Sequence, residues 1–587
     1  MYLENIDKPD DLKKLKLEEL NVLAEEMRFN LIEKLSKSGG HIGPNLGVIE
    51  LTLAMHYVFN SPIDKIVFDV SHQCYPHKML TGRKAAFMNE KLYNTVTGFS
   101  NPQESVHDHF IIGHTSTAIS LASGLAKARD LSNESYNVIA IVGDGSLGGG
   151  EALEGLSAAA ELNSNLLIIV NDNDQSIAEN HGGLYIGLKQ LRDSKGRSSN
   201  NIFKAMGLDY YYLDEGHDLQ KLIEMFNTVK DVKRAVVIHI HTIKGKGLKF
   251  AEEDRELWHA GGPFNKIDGS RKNAGATNTI VRDEIIKVLE ANPQAIAMSA
   301  STPILMGFTS EYRTKYARQF VDVGICEEQL IAMASGIAAA GGTPVVNISS
   351  SFLQRTYDQL YSDLALNNNP AVILVSSGGI YGMNSNTHLG ISDITFLTSI
   401  PNLVYLAPVN QEEYIQMFRY ATEQKQHPIA IRIPANHVLK ESGITDNTDY
   451  SDLNKFQLCQ KGSEIAIIAV GNLFPLALRI VKDYFQQTGI KLTLINPKFI
   501  SGLDTELLDS LVDQHKMIIT IEDGVLVGGF GQNVASYLGM TKLLVKNYAI
   551  KKSFPNDYNP EELLKENGIS VENIIADINK IVTVNKD

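Results

Sequence analysis

Two apolar runs in the first third of the chain end in residues able to hold phosphate and a hard cation. Val138 to Asp144 (VIAIVGD) leads into Gly143-Asp144-Gly145-Ser146, and Leu166 to Val170 (LLIIV) ends in Asn171-Asp172-Asn173. Glycines let a backbone approach a diphosphate closely, and N–H groups at a following helix start attract anions. Asp144 and Asn173, with a nearby carbonyl such as that of Gln175, offer hard oxygen ligands to a Mg2+ whose other ligands are phosphate oxygens. A lone Gly-Asp-Gly also reads as a tight turn after a strand, so its use as a site depends on the second strand end lying beside it.

Five histidine-bearing segments form a second group: Gly40-His41, Ser71-His72-Gln73-Cys74-Tyr75-Pro76-His77-Lys78, Gly113-His114-Thr115-Ser116-Thr117, Trp258-His259-Ala260 and Thr387-His388. Each sits beside Gly, Ser, Thr or Pro, and loop histidines are better placed to meet a ligand than histidines on an apolar helix face. A structural or solvated role stays open for each taken singly. Lys244, in Lys244-Gly245-Lys246-Gly247, reads equally as a surface turn or as a cation for the diphosphate. Glu327-Glu328 reads locally as a solvated pair at a helix start.

The elements that must carry these residues are short β-branched strands alternating with helical segments. Asn137 to Val142, Leu166 to Val170, Ala235 to Ile240 and Ala371 to Val375 suit strands buried on both faces of a parallel sheet. The expected class is α/β. Polar stretches at Arg271 to Thr279 and Lys440 to Asn454 mark boundaries, giving domains 1–272, 278–440 and 455–587. In the last, Glu464 to Val470, Lys491 to Asn496 and Met517 to Ile521 restart the strand rhythm, and Gly528-Gly529-Phe530-Gly531 opens a helix. A length of 587 residues requires several cores.

Bulk composition narrows the functional classes. A net charge of -14 leaves no broad basic surface for nucleic acid. No run is long enough to span a bilayer, and the polar start MYLENIDKPDDLKK lacks the form of a signal peptide. Cys74, Cys326 and Cys459 are too scattered for a disulfide framework or a zinc ligand set, so a cytoplasmic, reduced protein is expected.

Taken together, Gly47 to Gly82 with HQCYPHKMLTGR, Gly113 to Ser120, the Gly143 to Asn180 block, Phe352 to Gln359 (FLQRTYDQ) and Thr387 to Gly390 resemble the deoxyxylulose-phosphate synthase family of the transketolase superfamily. The likeness covers nearly the whole chain. It implies thiamine diphosphate and Mg2+ as cofactors, and a homodimer. The first domain would bind the diphosphate, the second the aminopyrimidine, and the third would be of the transketolase C-terminal type. The implied reaction joins two small-molecule substrates, pyruvate and an aldehyde acceptor, with loss of CO2; the family acceptor is glyceraldehyde 3-phosphate.

By the same resemblance Glu327, in Asp322-Val-Gly-Ile-Cys-Glu327-Glu328-Gln329, becomes the cofactor-activating carboxyl, and Phe352 the ring stacked on the pyrimidine. A carboxyl bonded to the pyrimidine nitrogen favours the imino tautomer and so relays a proton. His41, His72, His114, His259 and His388 would meet substrate oxygens and shuttle protons. His72, Gly113, His114, Thr115, Gly143, Asp144, Gly145, Ser146, Asn173 and Lys244 would line the cofactor, with Asp144, Asn173 and Gln175 on the metal.

The substrate side departs from the family pattern. Ser376-Ser377-Gly378-Gly379 stands where an Asp-Arg-Ala-Gly segment supplies a phosphate-binding arginine, and Ala435 replaces a second. Asn384 replaces an acidic residue, Ser349 a tyrosine, and the Ile177 to Phe203 segment is shorter. Losing two bidentate arginines costs on the order of several kcal/mol of phosphate binding. A related transferase with another acceptor is therefore one alternative, and a non-catalytic cofactor-binding paralogue another. Arg355 and Arg432 remain as candidate substitutes.

Overall fold

The computed structural model describes residues 1–271, 279–434, 446 and 448–584. Residues 272–278 of the first boundary stretch, 440–445 and 447 of the second, and Ala435 lie outside the described residues. The chain divides into two compact units, Met1–Ala276 with Val323–Cys326, and Thr277–Asp322 with Glu327–Asp587.

The first unit is built on β1 (Lys65–Phe68), β2 (Val138–Gly143), β3 (Leu166–Asp172), β4 (Asp209–Leu213) and β5 (Ala235–His241), in spatial order β1-β2-β3-β5-β4. All pairings are parallel. Side chains alternate along a strand, and here each face meets its own core. Ile139, Ile141, Leu167 and Ile169 enter one; Val138, Ala140, Val142, Ile168 and Val170 enter the other. Burying each such side chain contributes about 1.5–3 kcal/mol, which fixes the register of the two strands that carry the polar ends.

Helix Gly150–Glu161 leaves the Gly-Asp-Gly turn and buries Ala152, Gly155, Leu156 and Ala159, one face at helical spacing. The short segment after Ile177 forms helix Gly183–Asp193 and then Ile202–Ala205.

The second unit holds two sheets. One contains β6 (Ala295–Ser299), β7 (Phe320–Asp322), β8 (Thr343–Ser349), β9 (Val372–Ser376), β10 (Val404–Leu406) and β11 (Ile429–Ile433), in order β10-β11-β9-β8-β6-β7, all parallel. The other contains β12 (Gln457–Gln460), β13 (Glu464–Ala469), β14 (Thr493–Asn496), β15 (His515–Val525) and β16 (Leu544–Ile550), in order β12-β14-β13-β15-β16. Its edge strand β12 runs antiparallel to β14 and its other pairs are parallel. The expected α/β class therefore holds. Gly529 precedes helix Phe530–Leu538. Among the described residues no helix is long and apolar enough to cross a membrane.

Candidate active site

Strands β2 and β3 pair up to Gly143 opposite Asn171, so their polar ends emerge side by side. Asp144 is 1% exposed and accepts hydrogen bonds from the Gln175 N–H at 3.1 Å and from Asn180 Nδ2 at 2.6 Å. Burial, reinforced by the nearby charge of Asp172, pushes the Asp144 carboxyl up to about 8. A desolvated carboxylate of this kind is stabilised by a cation. Asn173 Oδ1 and Asn180 Oδ1 are buried there with no hydrogen-bond partner among the described residues. Orphaned acceptors beside a buried carboxylate fit a hard divalent ion. Arg255 Nη1 fixes the Asn173 carbonyl at 3.1 Å.

The Gly113–Thr117 loop is tied to the same corner. Asp69 accepts the N–H groups of Ser116 and Ala118 at 2.9 and 3.0 Å, and Ser116 Oγ donates to the Ser146 carbonyl at 2.8 Å. Gly145 has no room for a side chain, because a Cβ there would lie 2.8 Å from Ser176 Cβ. Lys244 is 2% exposed and donates to the Ser176 carbonyl at 2.5 Å, so the surface-turn reading of its segment is overturned. Burial lowers its ammonium to about 7.

His41, His72 and His259 come together. Their ring centroids lie 5.2 Å (His41–His72), 5.7 Å (His41–His259) and 5.2 Å (His72–His259) apart, and Phe99 stands 5.7 Å from His41. Paired backbone bonds between Gly40 and Gly261 fix two of the loops. Asn45, fully buried, donates through Nδ2 to both the His41 and His72 carbonyls at 2.7 Å and accepts the Tyr75 N–H at 2.8 Å. Burial, helped by the charge of Lys244, lowers His41 to about 4 and His259 well below the imidazole range. Both rings are neutral at pH 7. His259 Nδ1 is buried without a hydrogen-bond partner among the described residues.

The remaining polar residues of HQCYPHKMLTGR serve differently. His77 bonds through Nδ1 to His56 and through Nε2 to Asp108, both at 2.9 Å, while Arg83 grips Asp108 with two nitrogens at 2.7 and 2.9 Å. Lys78 pairs with Glu104, which accepts the Thr97 N–H. This network holds the loop that carries Phe99 and Asp108.

In the second unit Glu327 is the first residue of helix Glu327–Ala339 and only 5% exposed, which removes the solvated-pair reading for it. Burial raises its carboxyl, opposed by Arg355, whose Nη1 lies 3.4 Å from Oε2. Phe352 meets His388 edge-on at 5.6 Å, and His388 Nδ1 is 2.8 Å from Thr387 Oγ1.

Arg432 does not stand in for a missing phosphate arginine. Its guanidinium is buried between Asp393, at 2.6 and 3.2 Å, and Asp523. Gly379 makes that pairing possible, since a Cβ there would fall 1.9 Å from Asp523 Oδ2. Asn384 instead lies against the segment around Tyr558, and Ser349 Oγ is 3.4 Å from Ser351 Oγ. Asn45, Phe99 and Asn180 were not singled out in the sequence. Asn180 ends one motif block and Asn45 lies just ahead of another, but nothing in a single sequence separates a loop-gripping asparagine from a solvated one.

Comparison with known proteins assigns the class first. Residues 274–439 match the transketolase pyrimidine binding domain and 454–574 the transketolase C-terminal domain, so the chain is a transferase of the transketolase class. Residues 3–199 and 193–242 match the family described as 1-deoxy-D-xylulose-5-phosphate synthase. Proteins of that name from Clostridium tetani and Alkaliphilus oremlandii are each 36% identical to it. The first alignment covers 97% of this chain and 98% of the relative, the second 99% of each. A solved transketolase from Campylobacter jejuni is 17% identical, with 96% of this chain and 100% of that one covered and a TM-score of 0.44. The chain belongs to the 1-deoxy-D-xylulose-5-phosphate synthase family.

Proposed function

We propose that the chain decarboxylates pyruvate and joins the two-carbon unit to glyceraldehyde 3-phosphate, giving 1-deoxy-D-xylulose 5-phosphate and CO2. Bound thiamine diphosphate supplies the electron sink for the loss of CO2. The observation that carries the reading is the buried Asp144 carboxyl beside the orphaned Asn173 Oδ1 at two adjacent strand ends. Asp144, Asn173 and the Gln175 carbonyl would hold Mg2+. Gly113, Thr115, Gly143, Gly145, Ser146 and Lys244 would line the diphosphate. The residues 1–272 would act as the diphosphate domain, 278–440 as the pyrimidine domain and 455–587 as the C-terminal domain.

Glu327, its carboxyl raised by burial, holds a proton for the pyrimidine nitrogen, and Phe352 offers a ring face. His41 and His259 are neutral, so each accepts a proton from a substrate hydroxyl before returning it; His72, His114 and His388 orient substrate oxygens. Family membership supports a homodimer, and three cysteines that form no disulfide support a reducing cytoplasmic setting.

The test is CO2 release from pyruvate with thiamine diphosphate and Mg2+, with and without glyceraldehyde 3-phosphate, in wild type and Glu327→Ala. Stimulation by the aldehyde, abolished in the variant, is the expected result. Absence of CO2 release overturns the reading. A second reading, the same donor chemistry with a different acceptor, is favoured by the commitment of Arg432 to Asp393 and Asp523. It predicts CO2 release that glyceraldehyde 3-phosphate leaves unchanged and that another aldehyde stimulates.

A further inference from the structure

The two turns of the metal corner belong to different strands, and one later segment touches both. Asn180 Nδ2 donates to Asp144 at 2.6 Å, and Tyr185 Oη donates to the Gly145 carbonyl at 2.9 Å. About two turns further along the same helix, Arg192 Nη1 bonds both oxygens of Asp172 at 2.8 and 2.7 Å, and its Nη2 reaches Asp174. Tyr185 and Arg192 sit on opposite ends of helix Gly183–Asp193, with Tyr185 8% exposed and the Arg192 side chain 9%. The helix thus grips the Gly-Asp-Gly turn with one end and the Asn171–Gln175 turn with the other.

Asp172 is also held by His239 Nε2 at 2.7 Å, so its carboxylate is saturated by partners from β5 and from this helix. It is therefore not available as a ligand; it orients the chain on either side of Asn173. Room for the brace is tight, since a Cβ on Gly148 would fall 2.6 Å from Tyr185 Oη.

We infer that Tyr185 and Arg192 are positioning residues that set the spacing of Asp144 and Asn173 for the divalent cation. This rests on the proposed cation site. Groups that orient metal ligands from behind commonly change metal affinity by about 10–100-fold when removed. A rigid helix is well suited to that work, because it carries both contacts on one body.

The test measures Mn2+ affinity directly, by electron paramagnetic resonance of free Mn2+ in the presence of thiamine diphosphate, together with the melting temperature of the metal-free protein. Arg192→Leu is expected to weaken Mn2+ binding about 10–100-fold, Tyr185→Phe less, and Arg192→Lys to recover part of the loss. If Arg192→Leu does not fold, Arg192→Lys and Tyr185→Phe decide. Asp144→Asn separates the two levels of argument. Should it bind Mn2+ like wild type, the cation site itself is misplaced. Should it lose binding while Arg192→Lys and Tyr185→Phe keep wild-type affinity and melting, the site stands and the bracing role is refuted.

Discussion

The first unit contains two crowds of histidines in which His77 and His259 are bonded in opposite ways. In one, both ring nitrogens of His77 have partners, and its acceptor Asp108 is gripped again by Arg83. In the other, His41, His72 and His259 meet ring to ring, and His259 Nδ1 has no hydrogen-bond partner among the described residues. A ring with both nitrogens bonded, as in His77, has nothing left to offer a substrate, whereas an open nitrogen in a neutral ring can take a proton. On the proposed function, scaffold and chemistry then meet within a single motif, since His72 and His77 are five positions apart in SHQCYPHK.

The largest expected effect breaks the open group. His41→Ala should lower kcat by about 10^2–10^4-fold while the urea unfolding midpoint hardly moves. Breaking the His77 group should do the reverse. Asp108→Ala strands Arg83 and His77, and should cost about 3–5 kcal/mol of stability in urea unfolding. A wild-type midpoint in that variant would mean that the network is ornamental.

The pH dependence sharpens the contrast. His41 titrates near 4 when folded and near 6.5 when unfolded. Between those values the unfolded chain binds more protons, so this contribution to stability is complete above 6.5 and disappears as pH falls towards 4. His41→Phe should therefore show a shallower loss of melting temperature than wild type across that window. Asp108, held far below the carboxylate range by His77 and Arg83 despite its burial, loses its contribution only at more acid pH. The smallest effect is expected from Phe99→Leu, which removes an aromatic edge contact with His41 of about 0.5–1.5 kcal/mol. A several-fold change in kcat with unchanged melting would place that contact in the active group.

The strands were the most legible part of the sequence, because runs such as LLIIV and AVVIHI are buried on both faces and tolerate no other reading. The placement of Asp144 and Asn173 at neighbouring strand ends was legible for the same reason, since each lies within a few residues of such a run. The division within SHQCYPHK was not, since whether a histidine is saturated depends on Asp108 and His56, which lie remote in sequence. Likewise Arg432 read as a candidate substitute for a missing phosphate arginine, and only the fold brings Asp393 and Asp523 to it. Lys244 looked equally like a surface residue, because its burial comes from the Ser176 segment and not from its own glycine-rich neighbours.

Asn45 carries a last consequence. One carboxamide reads the backbone of both the His41 and the His72 loops. The two loops therefore form a single heritable module. A chimera that imported only one of them from a distant relative would arrive with a mismatched grip, whereas exchanging the continuous stretch from Gly40 to Tyr75 would carry lock and key together.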